Sequence, residues 1–63
     1  MTTTRRLAEV AEIVETARVR AEFAIGATPT GPARNHLTEA NIHLMQAEAA
    51  MAKAISSNIT GKP

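Results

Sequence analysis

Gly26-Ala27-Thr28-Pro29-Thr30-Gly31-Pro32 is the stretch that decides the fold, because it holds every interior glycine and proline of the chain. The others fall in the terminal Gly61-Lys62-Pro63. Two segments free of both, about 4–25 and about 33–58, flank the turn and are rich in Ala, Glu, Arg, Leu and Met. Those are strong helix formers, so the spacing predicts two helices, a turn over 26–32 and a tail over 59–63. Gly26 suits the left-handed residue that closes a helix, and Pro29 keeps that helix from resuming. Pro32 fits the first position of the second helix, with Gly31 as its N-cap. One of Thr2 to Thr4 is expected to cap the first helix. Glu9, Glu12 and Glu15 stand early in helix 1 and Arg18 and Arg20 late, the order the helix dipole favours, with Glu22 as the exception.

Apolar periodicity carries the argument outward from the turn. Helix 1 offers Leu7, Val10, Val14, Ala17, Ala21 and Ala24, and helix 2 offers Leu37, Ala40, Leu44, Ala47, Met51 and Ala54. Both sets step as the seam of a heptad. A short turn makes the helices antiparallel neighbours. The seams then meet as Ala24 by Leu37, Ala21 by Ala40, Ala17 by Leu44, Val14 by Ala47, Val10 by Met51 and Leu7 by Ala54. Most of these levels set a large side chain against an alanine, the matching that fills space at close helix spacing. A second stripe on helix 2, Ile42, Met45, Ala49 and Ala52, is rotated well away from the first, with Asn41 and Glu48 between the two. Val19 and Phe23 also point away from the seam, and Ile13 flanks it. Scattered exposed apolar side chains are ordinary. A patch of this extent marks an interface instead, and the expected fold is all-α: an antiparallel two-helix hairpin that assembles into a helical-bundle homo-oligomer. In such an assembly Ile42, Met45, Ala49, Ala52, Val19 and Asn41 are the candidate interface. Asn41 and Glu48 become buried polar groups able to fix register.

Composition narrows the functional menu. The chain has 63 residues, no Cys, Trp or Tyr, and one Phe. Below roughly 70–80 residues a lone core rarely supplies more than about 3–5 kcal/mol, and without cysteine no disulfide or thiolate zinc site can act as a staple. Seven Lys and Arg against six Asp and Glu give a net charge of +1, which argues against a general nucleic-acid binder, and no DNA partner is expected. The opening MTTTRRLAEVAEIV interrupts its apolar residues with glutamates, so it has no signal-peptide core. No apolar run approaches a membrane span, and a cytoplasmic protein is expected.

Candidate chemistry is sparse, and no enzyme is expected. No nucleophile triad or phosphate-cradling glycine loop exists. His36, Glu39 and His43 share a helix flank, but His36 and His43 stand roughly 10 Å apart along the axis, too far for one ion. An exposed flank with a Glu39–His43 pair is expected, with no metal and no cofactor. Arg18 sits beside the seam, within reach of Glu15 and Glu22, as a surface ion pair. Arg34 stands in the first turn of helix 2 with Asn35, His36 and Thr38, close to unsatisfied helix N–H groups. That arrangement reads either as an ordinary polar first turn or as an anion site.

The second helix, PARNHLTEANIHLMQAEAAMAKAISSN (32–58), resembles the hairpin domain of phage sponge proteins that sequester the cyclic-nucleotide signals of bacterial immunity, the anti-CBASS and anti-Thoeris sponges. The features shared are Pro32, Arg34, Leu37, Thr38, Ala40, Leu44, Gln46, Ala47, Ala54, Ile55 and Asn58. The likeness covers less than half the chain, and only the Pro–Arg start and the Ala–Ile end add to what any packed helix pair shows. It implies a phage-type immune-evasion protein in the host cytoplasm. Such a protein assembles as a dimer to a hexamer and holds cyclic oligonucleotides or cyclised ADP-ribose between subunits without hydrolysing them. Arg34 and Thr38 would face the ligand phosphates, with Asn35, His36, Arg18 and Phe23 as further ligand-binding candidates. Phe23, arginine planes or histidine must supply any base stacking, because the family's second-helix aromatic is replaced here by Ala49, Ala50 and Met51. The alternative function is a small helical-bundle module that docks on and inhibits a protein. An RNA-binding helical dimer ranks lower, since near-neutral charge weakens phosphate neutralisation.

Overall fold

A computed structural model describes residues 2–60, with side chains described over 3–58. It contains two helices, α1 (Thr2–Ala27) and α2 (Pro32–Thr60), packed against each other, and no strand among the described residues. Both helices run further than the sequence pattern predicts, α1 from residue 2 to 27 and α2 from 32 to 60. Thr3 and Thr4 lie within α1, so its cap falls outside the described residues, as do Gly61, Lys62 and Pro63.

The turn is built differently from its glycine signature. Gly26 is helical, not left-handed, and α1 ends on Thr28 instead. The Thr28 hydroxyl donates to the Ala24 carbonyl at 2.6 Å and its N–H to the Ile25 carbonyl at 3.2 Å. Two of the orphaned C-terminal carbonyls are thereby satisfied without a left-handed cap, and Pro29 disfavours helical geometry at Thr28. At the other side of the turn the Asn35 N–H donates to the Gly31 carbonyl at 3.0 Å, which makes Gly31 the N-cap and Pro32 the first helical residue. Gly31 has φ 157°, a value L side chains rarely adopt, with nothing within 4 Å of where its Cβ would stand.

The two helices face each other along a line that overlaps the one apolar periodicity selects and is shifted to one side of it. Of the twelve residues expected on the seam, ten are partly buried, and Val10 and Ala40 are exposed. Partly buried residues of α1 recur at Thr4, Leu7, Ala11, Val14, Arg18, Ala21 and Ile25, and of α2 at Arg34, Leu37, Asn41, Leu44, Glu48, Met51 and Ile55. Both series step 3-4-3-4, the spacing of a coiled-coil seam. Asn58 Nδ2 donates to Thr4 Oγ1 at 2.7 Å across the open end of the hairpin. Heptad steps from that bond set Leu7 level with Ile55, Ala11 with Met51, Val14 with Glu48, Arg18 with Leu44, Ala21 with Asn41 and Ile25 with Leu37. Val10 and Ala40, expected on the seam, are exposed and do not belong to it. Ala17, Ala24, Ala47 and Ala54 border the seam on one flank.

The seam also holds a pair of charges. Arg18 and Glu48 occupy seam positions that hydrophobicity alone would deny them, and each supplies the other's partner. Asn41 likewise lies in the intrachain seam and not on an outward stripe. No side chain among the described residues is fully buried. The Cα trace measures 46 × 17 × 10 Å, one helix thick. Two helices in a single layer can cover one stripe of each other and no more.

Candidate functional site

Arg18 is the electrostatic centre of the hairpin. Its Nε meets Glu48 Oε1 across the seam, and its NH1 donates to Glu22 Oε2 at 2.9 Å within α1. The Arg18 and Glu48 side chains keep 23% and 28% of their exposure, and Glu22 keeps 49%. The inter-helix pair is therefore the better shielded of the two. The hydrogen bond to Glu22, then that to Glu48, push the Arg18 guanidinium above its ordinary value. Glu15 takes no part in the pair, contrary to one of the two partners expected from spacing.

Asn41, one heptad before Glu48, is unevenly satisfied. Its Nδ2 approaches Met45 Sδ at 3.9 Å, a weak acceptor, while Oδ1 is shut away from water with no partner. An unsatisfied acceptor costs about 1–3 kcal/mol, so Asn41 Oδ1 weakens the seam. The sequence pattern places Asn41 and Glu48 between the seam stripe and the outer stripe of α2. The signal that could have found them was the opposite charge of Arg18 and Glu48 at equivalent heptad positions of antiparallel helices.

The start of α2 gathers the second group. Arg34 is half-buried at a seam position and has no ion pair or side-chain hydrogen bond among the described residues. Thr38 is exposed, and its hydroxyl is engaged with the Arg34 carbonyl at 2.9 Å. Asn35 is exposed and gives its N–H to the Gly31 cap. His36 Nδ1 lies 3.9 Å from Glu39 Oε1, both well exposed, so Glu39 turns back to His36 and not forward to His43. No group of three metal-ligating side chains exists among the described residues. Phe23 is 76% exposed. Arg18, level with Leu44, stands about 15 Å along the axis from Arg34, so one hairpin does not bring these candidates to a single small-molecule site.

Ile42 and Met45 are 50% and 52% exposed, and Val19 is 38% exposed. Ala49 and Ala52 are exposed as well. These outward residues stand free of the hairpin's own packing, while Asn41 turns inward. No helix among the described residues is long and apolar enough to cross a membrane. No family model, curated protein or solved structure matches the chain.

Proposed function

We propose that the chain acts by binding and not by catalysis, as a self-associating helical-bundle module whose working surfaces lie where copies join. One observation carries this reading. The hairpin exposes 4884 Å². A compact monomer of its 6.7 kDa mass exposes about 3,900 Å². The excess of about 1,000 Å² per chain covers the roughly 800 Å² that a standard interface buries on each partner. Native mass measurement tests it: a mass of two or more chains at micromolar concentration supports the module, and a compact 6.7 kDa species sinks it.

A second reading is favoured by Arg34, a half-buried cation at a helix N-terminus with no carboxylate beside it. Such a group is suited to an anion, and the likeness of the second helix to the sponge hairpins suggests a cyclic oligonucleotide held between subunits. Affinity would come from guanidinium and helix N–H donors, with no bond made or broken. A panel of cyclic nucleotides should then raise the Tm of the wild-type chain, because a ligand of the native state stabilises it. Arg34→Ala should abolish the rise while leaving the native mass unchanged. Absence of any shift at high micromolar ligand removes this reading and leaves the module standing.

A further inference from the structure

The apolar stripes of the two helices meet off-centre. Leu37, Ala40, Leu44 and Ala47 of α2 centre roughly 60° away from the line through Arg34, Leu37, Asn41 and Leu44 that faces α1. In α1 the stripe of Leu7, Val10, Val14 and Ala17 is rotated by the same step from its own seam. Because the helices are antiparallel, both rotations turn toward one flank of the hairpin. That flank carries Val10, Ala17 and Ala24 from α1 and Ala40, Ala47 and Ala54 from α2, with no charged residue among them. Val10 is 46% exposed, and beside it Ile13 is 68% exposed.

The opposite flank differs in kind. There Glu15 and Glu22 border the seam on α1, beside Met45 and Ala52 on α2. Pairing two hairpins through it would take four carboxylates out of water. Glu22 keeps its Arg18 partner, but the two Glu15 carboxylates have none among the described residues, at several kcal/mol for each unpaired ion. The alanine flank has no such cost, and its short side chains let helices approach closely. Seam and flank together give each helix three positions in seven that face another helix, the count of a bundle helix and not of a two-helix seam.

Building on the self-association reading, we infer that a second copy of this chain docks on the alanine flank, face to face, to close a four-helix bundle. The Ile42–Met45 stripe stays outside this contact. The area argument fixes the occupant: the excess of about 1,000 Å² per chain matches one such pairing. Ala40→Glu and Met45→Glu, both at exposed helix positions, separate the two flanks by sedimentation velocity. Ala40→Glu should give the single-chain mass and Met45→Glu should keep the wild-type mass. A labelling pair guards against loss of fold, since the chain has no native cysteine. At a concentration where about nine-tenths of chains are paired, Ala40→Cys should react with maleimide about tenfold more slowly than Ala49→Cys. Where both glutamate variants dissociate, protection at position 40 and not at 49 upholds the inference. Retention of the assembly by Ala40→Glu, or protection at 49 instead of 40, overturns the choice of flank and leaves self-association intact. A wild-type chain that sediments as a monomer overturns both.

Discussion

Diluting the wild-type chain should lower its melting temperature, and the slope can be worked out beforehand. If copies fold and pair in one step, Tm rises with the logarithm of chain concentration, in proportion to RTm² divided by the enthalpy of the assembly. At about 0.7 kcal/mol per residue near 60 °C, the described residues contribute about 41 kcal/mol per chain and about 83 kcal/mol per pair. The slope is then about 6 °C for each tenfold change in concentration, or about 12 °C over a hundredfold range. The expectation follows from a hairpin with no fully buried side chain, which has little core of its own to offset the ordering entropy. Far-UV circular dichroism melts at the two ends of such a range measure it directly. A cooperative transition whose midpoint stays within about 1 °C over that range would show that one hairpin carries its own stability, and the reasoning from exposed area would fall.

Three further outcomes follow from single positions. Gly31→Ala should destabilise by about 1–3 kcal/mol through backbone strain alone, since φ is 157° and the surrounding space is open. Gly26→Ala, helical with nothing within 4 Å, should stabilise by about 0.5–1 kcal/mol, and thermal melts that fail to separate the two glycines in sign would refute the account of the turn. Asn41→Leu should raise Tm, because the orphaned Oδ1 goes, while admitting alternative registers that native mass spectrometry or a broadened NMR spectrum would report. An unaltered or lower Tm would show that Asn41 Oδ1 has a partner in solution. Glu48→Ala should lower Tm more than Glu22→Ala, and the loss should narrow in about 1 M salt, where charges are screened beyond about 3 Å. Equal losses would show that the inter-helix pair has no special weight. The raised Arg18 value gives stability that is present below the unfolded value and lost only as pH rises through the folded one. Both are strongly alkaline, so this pair should hold across the neutral range.

What could be read from residues alone was local. Helix-forming composition, the Pro29 break and the Gly31–Pro32 start fix two helices and the chain reversal between them, because each depends on backbone sterics within a few residues. The start of α2 at Pro32 and the antiparallel pairing follow from the same local chemistry. Gly26 was misleading because a helix can be closed by a threonine hydroxyl as well as by a left-handed glycine. The candidate site was legible only as residue types: Arg34, Thr38 and Arg18 were singled out, but not that Thr38 is spent on the Arg34 carbonyl or that Arg18 crosses to the other helix.

Tertiary structure decided how far each helix is turned about its own axis. A periodicity of apolar residues assigns the seam to Leu7, Val10 and Val14, since it gives every charged residue a place in water. Folding instead brings Arg18 and Glu48 within contact, and once the two charges compensate each other they can occupy the seam. Val10 and Ala40 lie exposed on an outer flank. No single-residue property announces the Arg18–Glu48 contact, because the benefit belongs to a pair of residues 30 positions apart in the chain.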